Sequence, residues 1–478
     1  MTNADTLVNS PLLPMSERSP TTTADVSWHS QDSDFAAKQS AQSWPQTLLM
    51  INVTGFLLGY YAMHNQWIQL AWFLLMSGAF FLSGGYPGFS QSLRRDRWLA
   101  AFAGLVFLLL VRSSIIDSFG VSVSGLWLGW LKAGLLVGAM MMIWQAGTVA
   151  RVARILGLPL AVTATATAIG SVIIFYVLDP NAVLGSRLNN WFVYGGWNSV
   201  CTGMTFGFAA TWAVFGWIKA AVPRERTFWF VMAVILLWAT LMTLSRGALL
   251  GLVAGQVAIF CARGWRISRR PLILFVSCIL AFQFSAPLIS RLDVQKVSQR
   301  LGVTKETATQ QMIVSGDIAD NPAARFIKRG DNGRFIIYGA ALGSMTTWQD
   351  WFFGKGLWAS NDSWSCSLYW NPEHMHSVFV DALVRGGVPT FVLFIALLGW
   401  GLYRAWVLAR HGEELWLMLA CYGISGLVFD GDSAFSLLSI PRFETLILWV
   451  PLVIASARYT LRDYPGGGLD LGQSKTLS

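Results

Sequence analysis

Charged side chains are scarce in this sequence, at 12% of 478 residues, about half the share of an ordinary globular chain. A water-soluble enzyme or a disordered protein would need far more solvated groups, so both classes are excluded. Cysteine is scarce as well. The five present, at 201, 261, 278, 366 and 421, show neither zinc spacing nor a disulfide framework. A single bridge between Cys201 and Cys366 stays open. Histidine also occurs only five times. What the chain has in quantity is apolar and aromatic: 54% of residues are hydrophobic, with 24 Trp and 30 Phe, and mean hydropathy is +0.51.

Apolar runs near the ~20 residues that cross a bilayer lie at about 46–65, 67–86, 98–116, 123–146, 155–178, 199–218, 228–245, 247–262, 271–290, 388–406, 415–430 and 438–457. These runs are too long and too uniformly apolar for strands. The predicted fold is an all-α polytopic membrane protein of about twelve transmembrane helices. Residues 1–45, rich in Ser, Thr, Asp and Gln and lacking a signal-peptide pattern, read as a disordered cytoplasmic tail. Residues 46–290 hold the first nine spans, 388–460 the last three, and 461–478 a second cytoplasmic tail. Between them, 291–387 reads as a large periplasmic loop containing helices, and a loop of that length in an economical chain is usually functional.

The net charge of +9 points to topology rather than to nucleic acid. Basic residues gather in alternate connections: Arg94, Arg95 and Arg97; Arg151 and Arg154; Lys219, Arg224 and Arg226; Arg263, Arg266, Arg269 and Arg270; Arg404 and Arg410; Arg458 and Arg462. Such connections face the cytoplasm, which places both termini inside and the intervening turns outside.

Some cations break that rule by falling on the outer side. Arg187 lies in GSRLNNW, Arg246 in LMTLSRGALLG, and Arg325, Lys328, Arg329 and Arg334 in NPAARFIKRGDNGRFIIYGAAL. One reading is headgroup contact or snorkelling. The other is an anion clamp: a guanidinium offers parallel donors to phosphate oxygens and keeps its charge at any working pH. His374 and His376 stand together in NPEHMHSVFVDALVRGGVPTF, beside Glu373. Either imidazole could accept a proton from a hydroxyl near neutral pH, and Glu373 could orient it. The His-x-His-plus-Glu cluster could hold a divalent ion, but no further His or Cys lies nearby and the neighbouring cations would repel a metal. Neither metal nor cofactor is expected.

A helix over 376–386 would lie near the membrane surface, with His376, Val380 and Leu383 on one face and a solvated Asp381–Arg385 pair on the other. Arg112, near the outer end of its span, is expected to snorkel. Asp430, Asp432, Arg442 and Glu444 gather at the last outer turn, as a surface network or as the border of a cavity.

These motifs resemble the bacterial O-antigen ligase family and its superfamily of O-antigen polymerases and protein O-oligosaccharyltransferases. The ligase-type signature is His, then Asn, Ser or Gln, nine residues, Gly, two residues, then Gly, Thr or Tyr. It is matched by His376, Ser377, Gly387 and Thr390. SRGALLGLVAG around Arg246 resembles the family's arginine-bearing turn, and GRFIIYGAAL followed by WFFGKGL resembles the stretch before its histidine. The Arg187 segment resembles its first outer loop. The Trp-rich stretch WASNDSWSCSLYW, 358–370, has no counterpart in the pattern.

The resemblance implies a glycosyltransferase of the bacterial inner membrane, with its site facing the periplasm. It would move an O-antigen glycan from undecaprenyl diphosphate to a sugar hydroxyl of lipid A–core, inverting the anomeric centre without a metal. Arg187, Arg246 and Arg334 would hold the diphosphate, with Arg325 competing for the role of Arg334. His376, with His374 as competitor, would be the base, and Ser377 and Glu373 would stand nearby. A polymerase or a protein O-oligosaccharyltransferase would use the same donor. A flippase or transporter of lipid-linked glycan is the reading from another class, although no internal repeat supports it.

Overall fold

Polar residues that start helices recur between the apolar runs, and the helices of the computed structural model begin at them. Asn65, Asn198, Ser245 and Ser377 each accept a backbone N–H of the helix they precede, and Pro223 opens another. The structure describes residues 44–82, 86–116, 123–179, 187–193, 198–289, 333–359, 374–433 and 436–463, all within the unit Ser43–Ser478. Most of the expected tails, most of the Trp-rich stretch, Arg325, Lys328, Arg329, Glu373 and Cys366 lie outside the described residues, and Cys201 carries a free thiol.

The helices are α1 (Trp44–Ala62), α2 (Gln66–Phe80), α3 (Tyr86–Arg95), α4 (Arg97–Ile116), α5 (Val123–Gly147), α6 (Val152–Ile173, continuing as a π-helical turn to Leu178), α7 (Ser199–Lys219) and α8 (Pro223–Met242). Then follow α9 (Arg246–Arg263), α10 (Trp265–Ile289), α11 (Arg334–Gly343), α12 (Trp348–Phe353), α13 (Val378–Arg410), α14 (Glu414–Asp430) and α15 (Val450–Asp463). No strand occurs among the described residues. Eight helices there are long and apolar enough to cross a membrane: α4 to α10 and α13. The other four predicted spans fall on α1, α2, α14 and the segment from Thr445 through α15, which do not meet that combined length and hydropathy.

Small residues decide how closely α9 and α14 approach. Gly247, Gly251 and Gly255 recur every four residues and make a groove along α9. A Cβ at Gly247 would lie 2.3 Å from the Asp430 carboxylate, and one at Gly251 would lie 2.7 Å from the Tyr422 carbonyl. The two helices run antiparallel, so Arg246 and Asp430 share one end. At the other end Glu414 pairs with Lys219 at 2.9 Å and Arg263 at 3.0 Å, and Arg458 grips both oxygens of Glu413 at 2.9 Å. Arg404, expected in a connection, instead lies inside α13. It is buried against Asp96 at 2.6 Å and also donates to Ser456. A guanidinium at that depth is held because its charge is matched.

α13 is two helices joined at Gly387, whose φ of 68° and ψ of 169° belong to a region that essentially only glycine occupies. The break frees the carbonyls before it. Lys355 N donates to Val384 O at 2.9 Å, Gly356 N donates to Arg385 O at 3.1 Å, and Arg112 donates to Gly386 O and to Thr390 Oγ1, the latter at 3.0 Å. Arg112 therefore does not snorkel; it secures the kink. The Asp381–Arg385 pair, 2.9 Å apart, is buried rather than solvated, and Arg385 also donates to the carbonyls of Leu357 and Ala359. The residues just before the kink form the expected helix, but the face that carries the ion pair is packed into the protein.

A Cβ at Gly387 would stand 2.4 Å from the Phe352 carbonyl oxygen. Gly387→Ala is therefore expected to destabilise the fold by about 1–3 kcal/mol and to lower the thermal transition in detergent. Gly399→Ala, which meets nothing within 4 Å, is the control that leaves the transition in place.

Candidate active site

The site is built where α9 starts and α14 ends. Ser245 caps α9, and the chain just ahead of it turns through Leu244 in a left-handed conformation, φ 50°. This presents the N-terminus of α9, with its unsatisfied N–H groups and positive dipole end, to Asp430. The Asp430 Oδ2 accepts Gly247 N at 2.7 Å and Ser245 Oγ at 3.1 Å, while Oδ1 accepts Arg334 Nη2 at 2.5 Å. Asp430 is buried, and three donors are what a carboxylate needs there.

Arg187 reaches the same turn from the preceding segment. Its Nε donates to Thr243 O at 2.9 Å, and Leu188 N donates to Met242 O at 3.0 Å. Thr243 stands three residues before Arg246, so Arg187 is tied to the arginine-bearing turn. Arg246 itself is the first residue of α9 and is half-buried.

The histidines approach from the other side. A small core of Ile337, Ala341, Met345, Met375 and Val384 packs α11 against the segment that enters α13. That packing sets Arg334, at the start of α11, near His376. Tyr338 Oη donates to the His376 carbonyl at 3.4 Å, and His376 is held in the left-handed region at φ 56°, a strain such a residue sustains only when its surroundings enforce it. The imidazoles of His374 and His376 lie 4.2 Å apart between centroids. His374 Nδ1 lies 3.2 Å from Asp432 Oδ1, and Asp432 Oδ2 takes Arg442 Nη1 at 2.8 Å. Ser377 spends its hydroxyl on capping α13, accepting Val380 N at 3.4 Å.

The His376 imidazole is pushed down from 6.5 to about 4, first by burial and then by His374 and Arg334; Asp430 and Asp432 pull in the opposite direction. It is thus uncharged at neutral pH, with a lone pair free for a proton.

The structure ties Arg187 to Thr243, three residues ahead of Arg246, and ties Arg334 to Asp430, which also takes the N–H of Gly247 beside Arg246; it sets His376 within the electrostatic reach of Arg334 and Asp430. The cluster at the last outer turn is part of this arrangement, not a separate surface network. The sequence placed Asp430 in that cluster but did not mark it as the residue that joins Arg334 to the start of α9. Among the described residues no three His, Cys, Asp or Glu side chains converge as a metal site.

Residues 231–395 match a family model described as O-antigen ligase. The matched stretch holds Arg246, Arg334, His374, His376 and Gly387, and leaves Arg187, Asp430, Asp432 and Arg442 outside it. No curated protein matches the chain.

The charged and titratable groups acting on His376 predict a shift in the acid limb of any activity that needs it unprotonated. His374→Gln removes a group that lowers its proton affinity, so the limb moves to higher pH, from about 4 toward 6.5. Asp432→Asn removes a group that raises it, so the limb moves to lower pH. A pH profile of kcat/KM reads both directions.

Proposed function

From the match of residues 231–395 to a family model described as O-antigen ligase, we propose that the protein is a membrane-embedded glycosyltransferase that moves a glycan from undecaprenyl diphosphate to a sugar hydroxyl of lipid A–core. The observation that carries the reading is that Asp430 joins Arg334 to the start of α9, where Arg246 stands and where Arg187 is tethered through Thr243, with the uncharged His376 in electrostatic reach of Arg334 and Asp430. In this reading that end faces the periplasm and both termini lie in the cytoplasm, which agrees with the basic connections.

A glycosyl diphosphate already has a good leaving group. What it lacks is a counter-charge for the diphosphate as it departs and a base for the incoming alcohol. Arg187, Arg246 and Arg334 supply the first as charge already in place. Arg325 is a further candidate for the same role. His376 supplies the second. The acceptor oxygen bonds to the anomeric carbon as the bond to the diphosphate oxygen breaks. The hydroxyl proton passes to His376, and the carrier leaves as its diphosphate with the anomeric centre inverted. The arrangement also answers the weak basicity of His376. A bound diphosphate neutralises Arg334 and adds negative charge nearby, and both effects raise the proton affinity of the imidazole at the moment a base is needed. His374, held by Asp432, sits beside it as a second imidazole, and no metal is required for either role.

Purified protein supplied with lipid-linked glycan and, separately, lipid A–core, a second lipid-linked glycan or a pilin-like protein tests the reading. Product with lipid A–core is expected. Product only with the second carrier makes the protein a polymerase, and product only with the polypeptide makes it a protein O-oligosaccharyltransferase. His376→Ala should cut transfer by roughly 100- to 10,000-fold while carrier binding persists, whereas Arg246→Ala should weaken both. Full transfer by folded His376→Ala protein would remove the base assignment.

A further inference from the structure

α12 is only six residues long, Trp348–Phe353, and it is closed by a capping box between Thr347 and Asp350. Trp348, Trp351 and Phe352 are 68%, 41% and 52% exposed. At 3.6 residues per turn these three share one arc of the helix, and Asp350 lies opposite. The back of α12 is fixed to the protein. Gly354 and Gly387 meet backbone to backbone, and Lys355 N and Gly356 N bond to the last carbonyls before the kink in α13. Phe353 lies 5.9 Å from the Arg112 guanidinium that secures the same kink. The aromatic face is therefore held outward by a rigid backbone.

What covers that face can be read from its neighbour. Immediately after Gly387, α13 shows an exposed stripe of Val388, Val392 and Ile395, at the four- and three-residue spacing of one helix face. α13 is one of the helices apolar enough to cross a membrane, and an exposed apolar stripe on such a helix faces lipid. The Phe352 carbonyl lies against Gly387, so the aromatic face of α12 begins where the lipid-facing stripe begins. Tryptophan and phenylalanine on a short helix beside a span suit the boundary between acyl chains and headgroups.

We propose that α12 is an interfacial helix, with Trp348, Trp351 and Phe352 inserted into the lipid leaflet on the side of the active site. Because α12 is bonded to the kink of α13, this insertion fixes the height of that kink, and of His376 ahead of it, relative to the membrane surface. The inference rests on α13 crossing the membrane, not on the reaction assigned above, so either can fail without the other.

The test uses the full chain in nanodiscs of palmitoyl-oleoyl phosphatidylethanolamine and phosphatidylglycerol. The photocrosslinker p-benzoylphenylalanine is placed singly at positions 348, 352, 392 and 346. Mass spectrometry should show a phospholipid mass shift at 348 and 352, as at Val392 in the lipid-facing stripe, and none at Thr346, which is exposed on the polar approach to the helix. Loss of the lipid adduct at 348 and 352 while 392 retains it would overturn the proposal. So would crosslinking of those positions to a second copy of the chain. These exposed aromatic sites accept an aromatic replacement without disturbing the core, and monodisperse elution of each labelled protein verifies that.

Discussion

A buried carboxylate at the end of one helix holds the start of another, and the site depends on that junction. Asp430 takes the N-terminus of α9 on one oxygen and Arg334 on the other. Burying a carboxylate alone is prohibitive; burying it among an amide, a hydroxyl and a guanidinium is not. The arrangement is demanding as well as favourable, because loss of one partner leaves an uncompensated buried charge worth about 3–5 kcal/mol. The glycines of α9 make the junction geometrically feasible. With a side chain at Gly247, the carboxylate could not reach the helix end it caps.

The second constraint is the break at Gly387. Spacing alone treats the nine residues between Ser377 and Gly387 as a ruler, and the structure shows what the ruler measures. A short buried helix carries Asp381 and Arg385, then ends at a backbone geometry open to glycine, and Thr390 takes a bond from Arg112 just beyond. Glycine and threonine in this signature serve architecture, whereas the histidine at its head lies within the electrostatic reach of Arg334 and Asp430. Ser377 belongs to the architectural part too, as the cap that starts the short helix. This division explains how a pattern of so few residues can mark a site: most of it specifies where the chain must bend.

Much of the fold was legible because long apolar runs are local signals. The caps at Asn198, Ser245 and Ser377 went unused in that reading, although the residue types suit helix starts. What escaped was anything set by partners far along the chain. Arg404 looked like one more cytoplasmic cation until Asp96, distant in sequence, was found against it inside the helices. Asp381 and Arg385 have the spacing of a solvated helical pair, and nothing local reveals that the carbonyls of Leu357 and Ala359 enclose them. For the site, Arg246 and His376 stood out by residue type and side of the membrane. Asp430 was visible only as one member of an acidic and basic cluster, because a carboxylate at a helix end has many ordinary uses, and only the close approach of α9 and α14 gives it this one.

The electrostatics of the site follow from these long-range contacts. A pocket of unpaired arginines in an apolar surrounding would repel itself and pull in water or ions. Here Arg187 is tethered to a carbonyl, Arg334 to Asp430 and Arg442 to Asp432, so the cations are held before any anion arrives. Tethering lowers the reorganisation required when charge develops on a substrate, which is where preorganised sites gain most of their advantage over water. The two imidazoles complete the balance. Placed against each other and near Arg334, His376 stays neutral, and its neutrality spares the site another buried charge. In the proposed reaction anion affinity and proton affinity would thereby be coupled: an anion that neutralises Arg334 would raise the proton affinity of His376.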